Sequence, residues 1–102
     1  MKLWIDDVRP APNLNYFVMP SVNLGKAYIE YCEKNGIVLE LIDIDHDAGN
    51  YAYDGGDYIK LLDWLEETGR NYPIRIHSMN PVGVENMRRI IRRNGWTEIT
   101  SV

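Results

Sequence analysis

The chain has 102 residues, of which 45% are hydrophobic and 25% charged, and its formal net charge is −4. These values are typical of one globular domain and leave little room for a second. The negative charge argues against a protein that mainly coats nucleic acid, because such binding requires Lys and Arg to neutralise phosphates.

Three features of the sequence bear on its location in the cell. Cys32 is the only cysteine, so the chain cannot form an internal disulfide. No run approaches the ~18 consecutive apolar residues of a membrane span, and the acidic start of the chain differs from a signal peptide. We therefore expect a cytoplasmic protein with no membrane partner.

Hydrophobic patterning divides the first part of the chain into two strands and a helix. Residues 2–6 and 16–19 are short apolar runs that predict strands. The segment between them is rich in Pro and Asn, which predicts a loop. A helical stripe of apolar residues then follows Ser21, a suitable N-cap, and ends at Asn35 and Gly36.

The rest of the chain alternates strands with helices. The most apolar run, residues 38–44, predicts a strand, and the loop at residues 48–56 is rich in Gly, Asp and Tyr, which is typical of a mobile or ligand-facing segment. The remaining predictions are helices over residues 57–68 and 81–94 and strands over residues 74–76 and 96–102.

The order β-β-α-β-α-β-α-β indicates an α/β fold in a single domain spanning residues 1–102. A helical crossover brings the chain back in the same direction, so consecutive strands are expected to pair in parallel. We therefore predict a three-layer sandwich, with a mostly parallel five-stranded sheet and about three helices on its two faces.

Polar residues follow three of the predicted strands directly. They are Asp6 and Asp7, then Asp45, His46 and Asp47, then His77, Ser78 and Asn80, with Arg9 just beyond the first pair. Ligands of open α/β sheets bind outside the carboxyl ends of the strands, so these side chains are expected to converge. The two carboxylates that flank His46 repel each other, which a cation or a protonated imidazole would relieve.

Several of these residues also have an ordinary structural explanation. Asp6 and Asp7 could cap a turn, because Asp is common there. Asp43 points to the same side of its strand as Asp45 and could either join the cluster or cap a sheet edge. Asn80 has the pattern of an N-cap, although the helix end behind it would also offer N–H groups to a phosphate.

The basic and aromatic residues elsewhere in the chain favour structural roles. The predicted third helix carries four arginines almost opposite its apolar stripe, as expected of any solvated helix face: Arg88, Arg89, Arg92 and Arg93. The tryptophans are more typical of core or sheet-edge packing than of a platform for bases: Trp4, Trp64 and Trp96.

The acidic residues resemble those of receiver domains in two-component signalling. In receivers an acidic pair after the first strand binds Mg²⁺ and an Asp on a central strand accepts phosphate; Asp6, Asp7 and Asp45 match these positions. The chain departs from that pattern because its fourth strand ends in His77 and Ser78 instead of Ser or Thr, and its fifth has no Lys. A loop also replaces the first receiver helix.

Three longer motifs extend the resemblance over essentially the whole chain. They read Trp-Ile-Asp-Asp-x-Arg-Pro from Trp4, Asp-His-Asp-x-Gly from Asp45 and His-Ser-x-Asn-Pro-x-Gly from His77. In this order they resemble the cyclic-phosphate processing receiver domains, a divergent receiver-like family inferred to act on phosphate esters such as the cyclic phosphate termini of RNA. The resemblance implies a receiver-like (flavodoxin-like) sheet and a hydrolase that acts on cyclic or terminal phosphates.

The resemblance also implies roles for the residues that match the motifs. Opening a 2′,3′-cyclic phosphate needs a base, an acid and a cationic group, and two histidines could share the first two roles. The catalytic residues would then be His46, His77 and Asp45, with Arg9, Ser78 and Asn80 on the phosphate. Asp6, Asp7, Asp45 and Asp47 would either bind a divalent metal, Mg²⁺ or Mn²⁺, or orient the imidazoles, depending on the His46–His77 geometry.

Three functions from different classes are compatible with these residues. The favoured one is a small phosphoesterase whose partner is a phosphate-containing small molecule or an RNA end. The second is a non-catalytic receiver-like module that binds a phosphorylated ligand or signals, which would show saturable binding without product. The third is a metal-dependent nuclease or phosphatase, whose activity EDTA would abolish and to which the histidines would matter less.

Overall fold

The structure, a computed structural model, describes residues 1–100. Within that range the chain forms a four-stranded parallel sheet with the strand order β2-β1-β3-β4 and three α-helices. The strands are β1 (Lys2–Ile5), β2 (Tyr16–Met19), β3 (Leu41–Ile44) and β4 (Ile74–Ile76). The helices are α1 (Val22–Lys34), α2 (Ile59–Glu67) and α3 (Pro81–Asn94), and a short 3₁₀ turn (Gly49–Tyr51) lies between β3 and α2.

The helix ends follow from capping chemistry, as the sequence predicts. The Oγ atom of Ser21 accepts a hydrogen bond from the backbone N–H of Leu24 at 3.1 Å, which caps α1. The Oδ1 atom of Asn80 accepts from the N–H of Gly83 at 3.0 Å, with Pro at the first turn of α3. Gly95 ends α3 in the left-handed conformation, with φ of 66°.

The prediction of five strands is wrong for residues 1–100. In place of a strand at residues 96–102, the described chain makes one isolated parallel bridge between Glu98 and Ile74; residues 101 and 102 lie outside the described range. Directly after the Gly95 cap, Trp96 packs into the hydrophobic core. Because of that anchor, the chain passes β4 at a single position instead of running along it.

The central strand β3 is shorter than predicted, beginning at Leu41 and not at Val38. Its neighbour β1 begins at Lys2, which pairs with Leu41. The residues before Leu41 therefore have no strand beside them, and Val38 is 76% exposed.

The prediction of a three-layer sandwich is also wrong. From β2 to β3 and from β3 to β4 the chain moves across the sheet in one direction, so right-handed crossovers place the connecting helices on one face. Buried residues of all three helices belong to one core cluster together with Ile5, Ile42 and Ile74 of the strands. Within the described residues the fold has two layers, and the second face of the sheet carries no helix.

This helix-free face carries the alternate strand residues Trp4, Tyr16, Asp43 and Arg75. The step from β1 to β2 runs in the opposite direction, which takes residues 6–15 across this face. The indole Nε1–H of Trp4 donates to the carbonyl of Arg9 in that loop at 2.9 Å. A loop therefore covers part of the face, and Trp4 is only 5% exposed.

The arginines of α3 are largely paired on the protein surface. Arg88, Arg92 and Arg93 form ion pairs with Glu98, Glu85 and Glu66 respectively. Between residues 1 and 100, no helix has the length and apolar character needed to cross a bilayer.

Candidate functional site

The carboxyl ends of β1 and β3 bring three aspartates together. Carboxylate oxygens of Asp6, Asp7 and Asp45 all lie within 4.8 Å of one another, and we call these residues the carboxylate cluster. Asp6 and Asp45 are buried, whereas Asp7 is half-buried. The cluster forms because β1 and β3 are parallel neighbours in register, Ile5 opposite Ile44, so the residues that follow them emerge side by side.

The members of the cluster have different electrostatic environments. Burial raises the pKa of Asp6, but hydrogen bonds from the N–H groups of Val8 and Arg9 and from His77 outweigh it, so the pKa lies below its usual range. Burial, with the charges of Asp6 and Asp45, raises the pKa of Asp7 above its usual range. Asp7 is thus the member whose charge is least compensated by the protein.

His77 bridges two buried carboxylates on the helix-free face. Its Nδ1 atom lies 2.7 Å from Oδ1 of Asp43, and its Nε2 atom lies 2.9 Å from Oδ2 of Asp6. Each ring nitrogen therefore lies within hydrogen-bond distance of a buried carboxylate oxygen, so the ring connects the two carboxylates. The histidine side chain is 7% exposed, and both of its ring nitrogens are already engaged.

Asp43 is the centre of this buried network. It is fully buried, and it also accepts hydrogen bonds from Nη1 of Arg75 at 3.2 Å and from the hydroxyl of Tyr16 at 3.3 Å. The ring of Trp4 stacks on His77 with 3.8 Å between centroids and 5° between planes. The sequence left the role of Asp43 open, and the structure places it behind the carboxylate cluster, connected to Asp6 through His77.

The predicted phosphate-binding residues surround the same strand ends. Nη1 of the exposed Arg9 donates to the carbonyl of His77 at 2.6 Å, which holds the guanidinium at the end of β4. The side chains of Ser78 and Asn80 are both used locally: Ser78 accepts from the N–H of Asn80, and Asn80 caps α3. Arg9 keeps guanidinium donors that are unused, and the hydroxyl of Ser78 and the amide nitrogen of Asn80 also remain available, because these two side chains act only as acceptors in the bonds above.

His46 lies on the helix side of the sheet, against the first turn of α3. Its Nδ1 atom is 2.9 Å from Oδ1 of Asp47, and its side chain is 15% exposed. A Cβ atom on Gly83 would overlap the imidazole ring, so glycine allows the helix to approach His46 this closely. Asp47 thus orients the imidazole and is not among the three aspartates that converge.

Tyr58 closes the site from the side of α2, and sequence reasoning did not single it out. Its N–H donates to the carbonyl of His46 at 3.0 Å, and its hydroxyl donates to the carbonyl of Pro20 at 2.6 Å. Burial, followed by the charges of Asp7 and Asp6, raises its pKa well above the usual tyrosine value. Tyr58 therefore stays a neutral phenol that fixes the loop after β3.

Two of the residues whose role the sequence analysis missed, Trp4 and Arg75, share a recognisable pattern. Trp4 and Arg75 alternate with apolar residues on their strands, as Asp43 does, so all three point to the face opposite the core. Alternation of this kind predicts a sheet with one polar face. Tyr58 carries no comparable signal, because its position matches the apolar stripe of α2.

A parallel α/β sheet with converging acidic residues after β1 and β3 defines the receiver-like class of domains. The family model described as cyclic-phosphate processing receiver domain matches residues 1–93, and the chain belongs to that family. No curated protein and no solved structure matches the chain.

Proposed function

We propose that the protein is a phosphoesterase that hydrolyses a cyclic or terminal phosphate, with the 2′,3′-cyclic phosphate end of RNA or of a nucleotide as the leading candidate. The observation that carries the proposal is the convergence of Asp6, Asp7 and Asp45. Arg9 lies next to them, with its backbone N–H bonded to Asp6 and its guanidinium held on the carbonyl of His77. The family description supports processing of cyclic phosphates as the general activity.

The carboxylate cluster fits a hard divalent cation such as Mg²⁺ or Mn²⁺. Its donors are all carboxylate oxygens, which these ions prefer. Burial, together with the charges of Asp6 and Asp45, raises the pKa of Asp7, and a bound cation would stabilise its ionised form. When bound, such an ion supplies Lewis-acid stabilisation of charge that develops on phosphate oxygens.

The protein's own groups perform the remaining steps. Arg9 would bind the phosphate through the N–H groups that it does not use on His77, and the first turn of α3 adds a favourable dipole. We assign proton transfer to His46, whose Nε2 has no hydrogen-bond partner among residues 1–100 while Asp47 orients the ring. Because both nitrogens of His77 are engaged, we assign it the positioning of Asp6.

One observation favours the alternative of a non-catalytic module that binds or signals through a phosphorylated ligand. With His77 engaged on both nitrogens, His46 is the single histidine left for acid–base chemistry. Binding needs only Arg9 and the carboxylate cluster with its cation, so a binder would keep these and dispense with turnover.

Turnover of a defined substrate separates the two functions. The purified protein is incubated with a nucleoside 2′,3′-cyclic phosphate and Mg²⁺ or Mn²⁺, and ³¹P NMR follows the ring-opened product. We expect product that disappears with EDTA, and Asp63→Asn on α2 serves as a matched surface control. Saturable binding of the cyclic phosphate without any product would replace the phosphoesterase with the binding module.

Replacing Asp7 with Asn should change metal affinity and stability in opposite directions. The variant loses a charged ligand, so Mn²⁺ binding measured by calorimetry should weaken by roughly tenfold or more. The metal-free protein should become more stable, because the repulsion that raises the pKa of Asp7 is removed. A metal-free variant that melts at a lower temperature than the wild type would contradict this account of the cluster.

A further inference from the structure

Two tyrosines form an aromatic pair on the loop that follows β3. The ring centroids of Tyr51 and Tyr53 are 6.4 Å apart and their planes differ by 24°. Tyr53 is 83% exposed, whereas Tyr51 is half-buried beneath it. The pair thus exposes the ring of Tyr53 to solvent, while the ring of Tyr51 stacks against it.

The loop that carries the pair is anchored on both sides of it. The N–H of Ala48 donates to Oδ1 of Asp57 at 3.1 Å, which closes the base of the loop. Directly after Tyr53, the carboxylate of Asp54 accepts from the hydroxyl of Ser21 at 2.6 Å and from Nδ2 of Asn23 at 3.1 Å. These bonds fix where Tyr53 is presented, which lowers the entropy cost of binding to it.

The same loop lies directly against the carboxylate cluster. Gly49, with φ of 53°, begins the 3₁₀ turn, and a Cβ atom on it would overlap the carboxylate of Asp7. Tyr51 ends that turn. Tyr53 follows two residues after this turn, on the same loop.

We propose that Tyr53, supported by Tyr51, is the stacking surface for the base of a nucleotide whose phosphate lies at the carboxylate cluster. The inference rests on the proposed function and deepens it by naming the residue that would bind the base of a nucleotide substrate. Bases stack on exposed aromatic rings with little regard to sequence, since every base offers a π face. The expected specificity is therefore for a nucleotide over other phosphate esters, without strong preference among bases.

The charge of the loop selects a single terminal nucleotide over a long strand. Residues 46–58 contain no Lys or Arg and carry the carboxylates of Asp47, Asp54 and Asp57. An extended phosphate backbone along this loop would be repelled, whereas a neutral base would not. A free cyclic nucleotide and an RNA end share the required chemistry, so both are included as probes.

The variant that tests the inference is Tyr53→Ala, which alters an exposed side chain and leaves the fold intact. The probes are a nucleoside 2′,3′-cyclic phosphate, a short RNA with the same terminus, and glycerol 1,2-cyclic phosphate, which has no base. We expect the variant to weaken binding of both nucleotide probes by about 5- to 150-fold, the range of ~1–3 kcal/mol per stacked base. Binding of the glycerol compound should be unchanged, and Tyr53→Trp should retain nucleotide affinity.

Tyr31→Ala is a closely matched control. Tyr31 stacks on Tyr28 with centroids 6.4 Å apart and 22° between planes, and it is 56% exposed. It lies in the second half of α1, which runs from the carboxyl edge of the sheet towards the amino edge, away from the cluster. This variant should bind all three probes as the wild type does.

The outcomes separate this inference from the proposed function. Equal affinity of the wild type and Tyr53→Ala for the nucleotide probes, with the wild type binding all three, would overturn the stacking role alone. Equal losses for the nucleotides and the glycerol compound would also overturn it, since the side chain would then act on the phosphate. A wild-type protein that binds no cyclic phosphate at all would overturn both.

Discussion

Replacing His46 with Ala is expected to lower the rate of cyclic phosphate hydrolysis by about 10²- to 10⁴-fold, the usual contribution of one general acid or base. Its imidazole is held by Asp47 through Nδ1 and keeps Nε2 free, which is the geometry of a group that exchanges protons with a ligand. The loss should appear in kcat more than in KM, because Arg9 and the carboxylate cluster still hold the substrate.

Two controls make the His46 result interpretable. Thermal melting shows whether the variant folds, and the partial exposure of the side chain predicts only a small change. Asp47→Asn keeps the imidazole but changes its partner, so a smaller loss of rate is expected than for His46→Ala. A folded His46→Ala protein that hydrolyses the substrate at the wild-type rate would remove this residue from the mechanism.

Replacing His77 with Ala is expected to lower the free energy of unfolding by about 3–5 kcal/mol, the usual effect of removing one partner from a buried ion pair. The buried carboxylates of Asp43 and Asp6 would then each lose a hydrogen-bond partner, because the ring that lies between them is removed. The stacked ring on Trp4 would also be lost. Urea unfolding of the metal-free protein measures the effect directly.

Two further substitutions test whether buried charge causes the loss of stability expected for His77→Ala. Tyr16→Phe removes a single hydrogen bond to the same carboxylate of Asp43 and should lower the free energy of unfolding by only about 0.5–1.5 kcal/mol. Adding Asp43→Asn to His77→Ala should restore part of the lost stability, because it removes one of the two buried carboxylate charges that His77 contacts. If the double variant is less stable than His77→Ala, the charge explanation is wrong.

Local patterns in the sequence determine most of the fold. Ser21 and Asn80 mark the starts of α1 and α3 because a side-chain oxygen there satisfies a free backbone N–H, an interaction within a few residues. The fifth strand could not be excluded in this way. Whether residues 96–100 pair with β4 depends on where Trp96 packs, and that contact lies outside any local window.

The alternation of apolar and polar residues along the strands could also have predicted the number of layers. In β4 and the residue after it, Ile74 and Ile76 alternate with Arg75 and His77, whereas a parallel strand covered by helices on both faces is usually a continuous apolar run. The parallel topology favoured helices on both faces, and the alternation indicated otherwise. The structure shows that the alternation is the better guide here.

The candidate site also has one part that the sequence predicts and one part that it does not. Asp6, Asp7 and Asp45 follow strands, so the rule that parallel strands share a carboxyl edge suffices to bring them together. The hydrogen bonds from His77 to Asp43 and Asp6 depend on the rotation of one ring relative to three strands. The spacing of residues along the sequence does not predict such side-chain geometry.

The one-sided placement of the helices has a consequence for engineering the protein. Heat resistance is commonly gained by improved packing, and loss of activity is the recurrent penalty. Here the helices pack on residues such as Leu3 and Ile42, whereas Trp4, Asp43 and Arg75 support the candidate site from the opposite side of the same strands. Directed evolution for thermostability should therefore accept changes in the helical layer with little loss of turnover, provided that they spare Tyr58 and the first turn of α3 around Gly83, which contact the candidate site from the helix side.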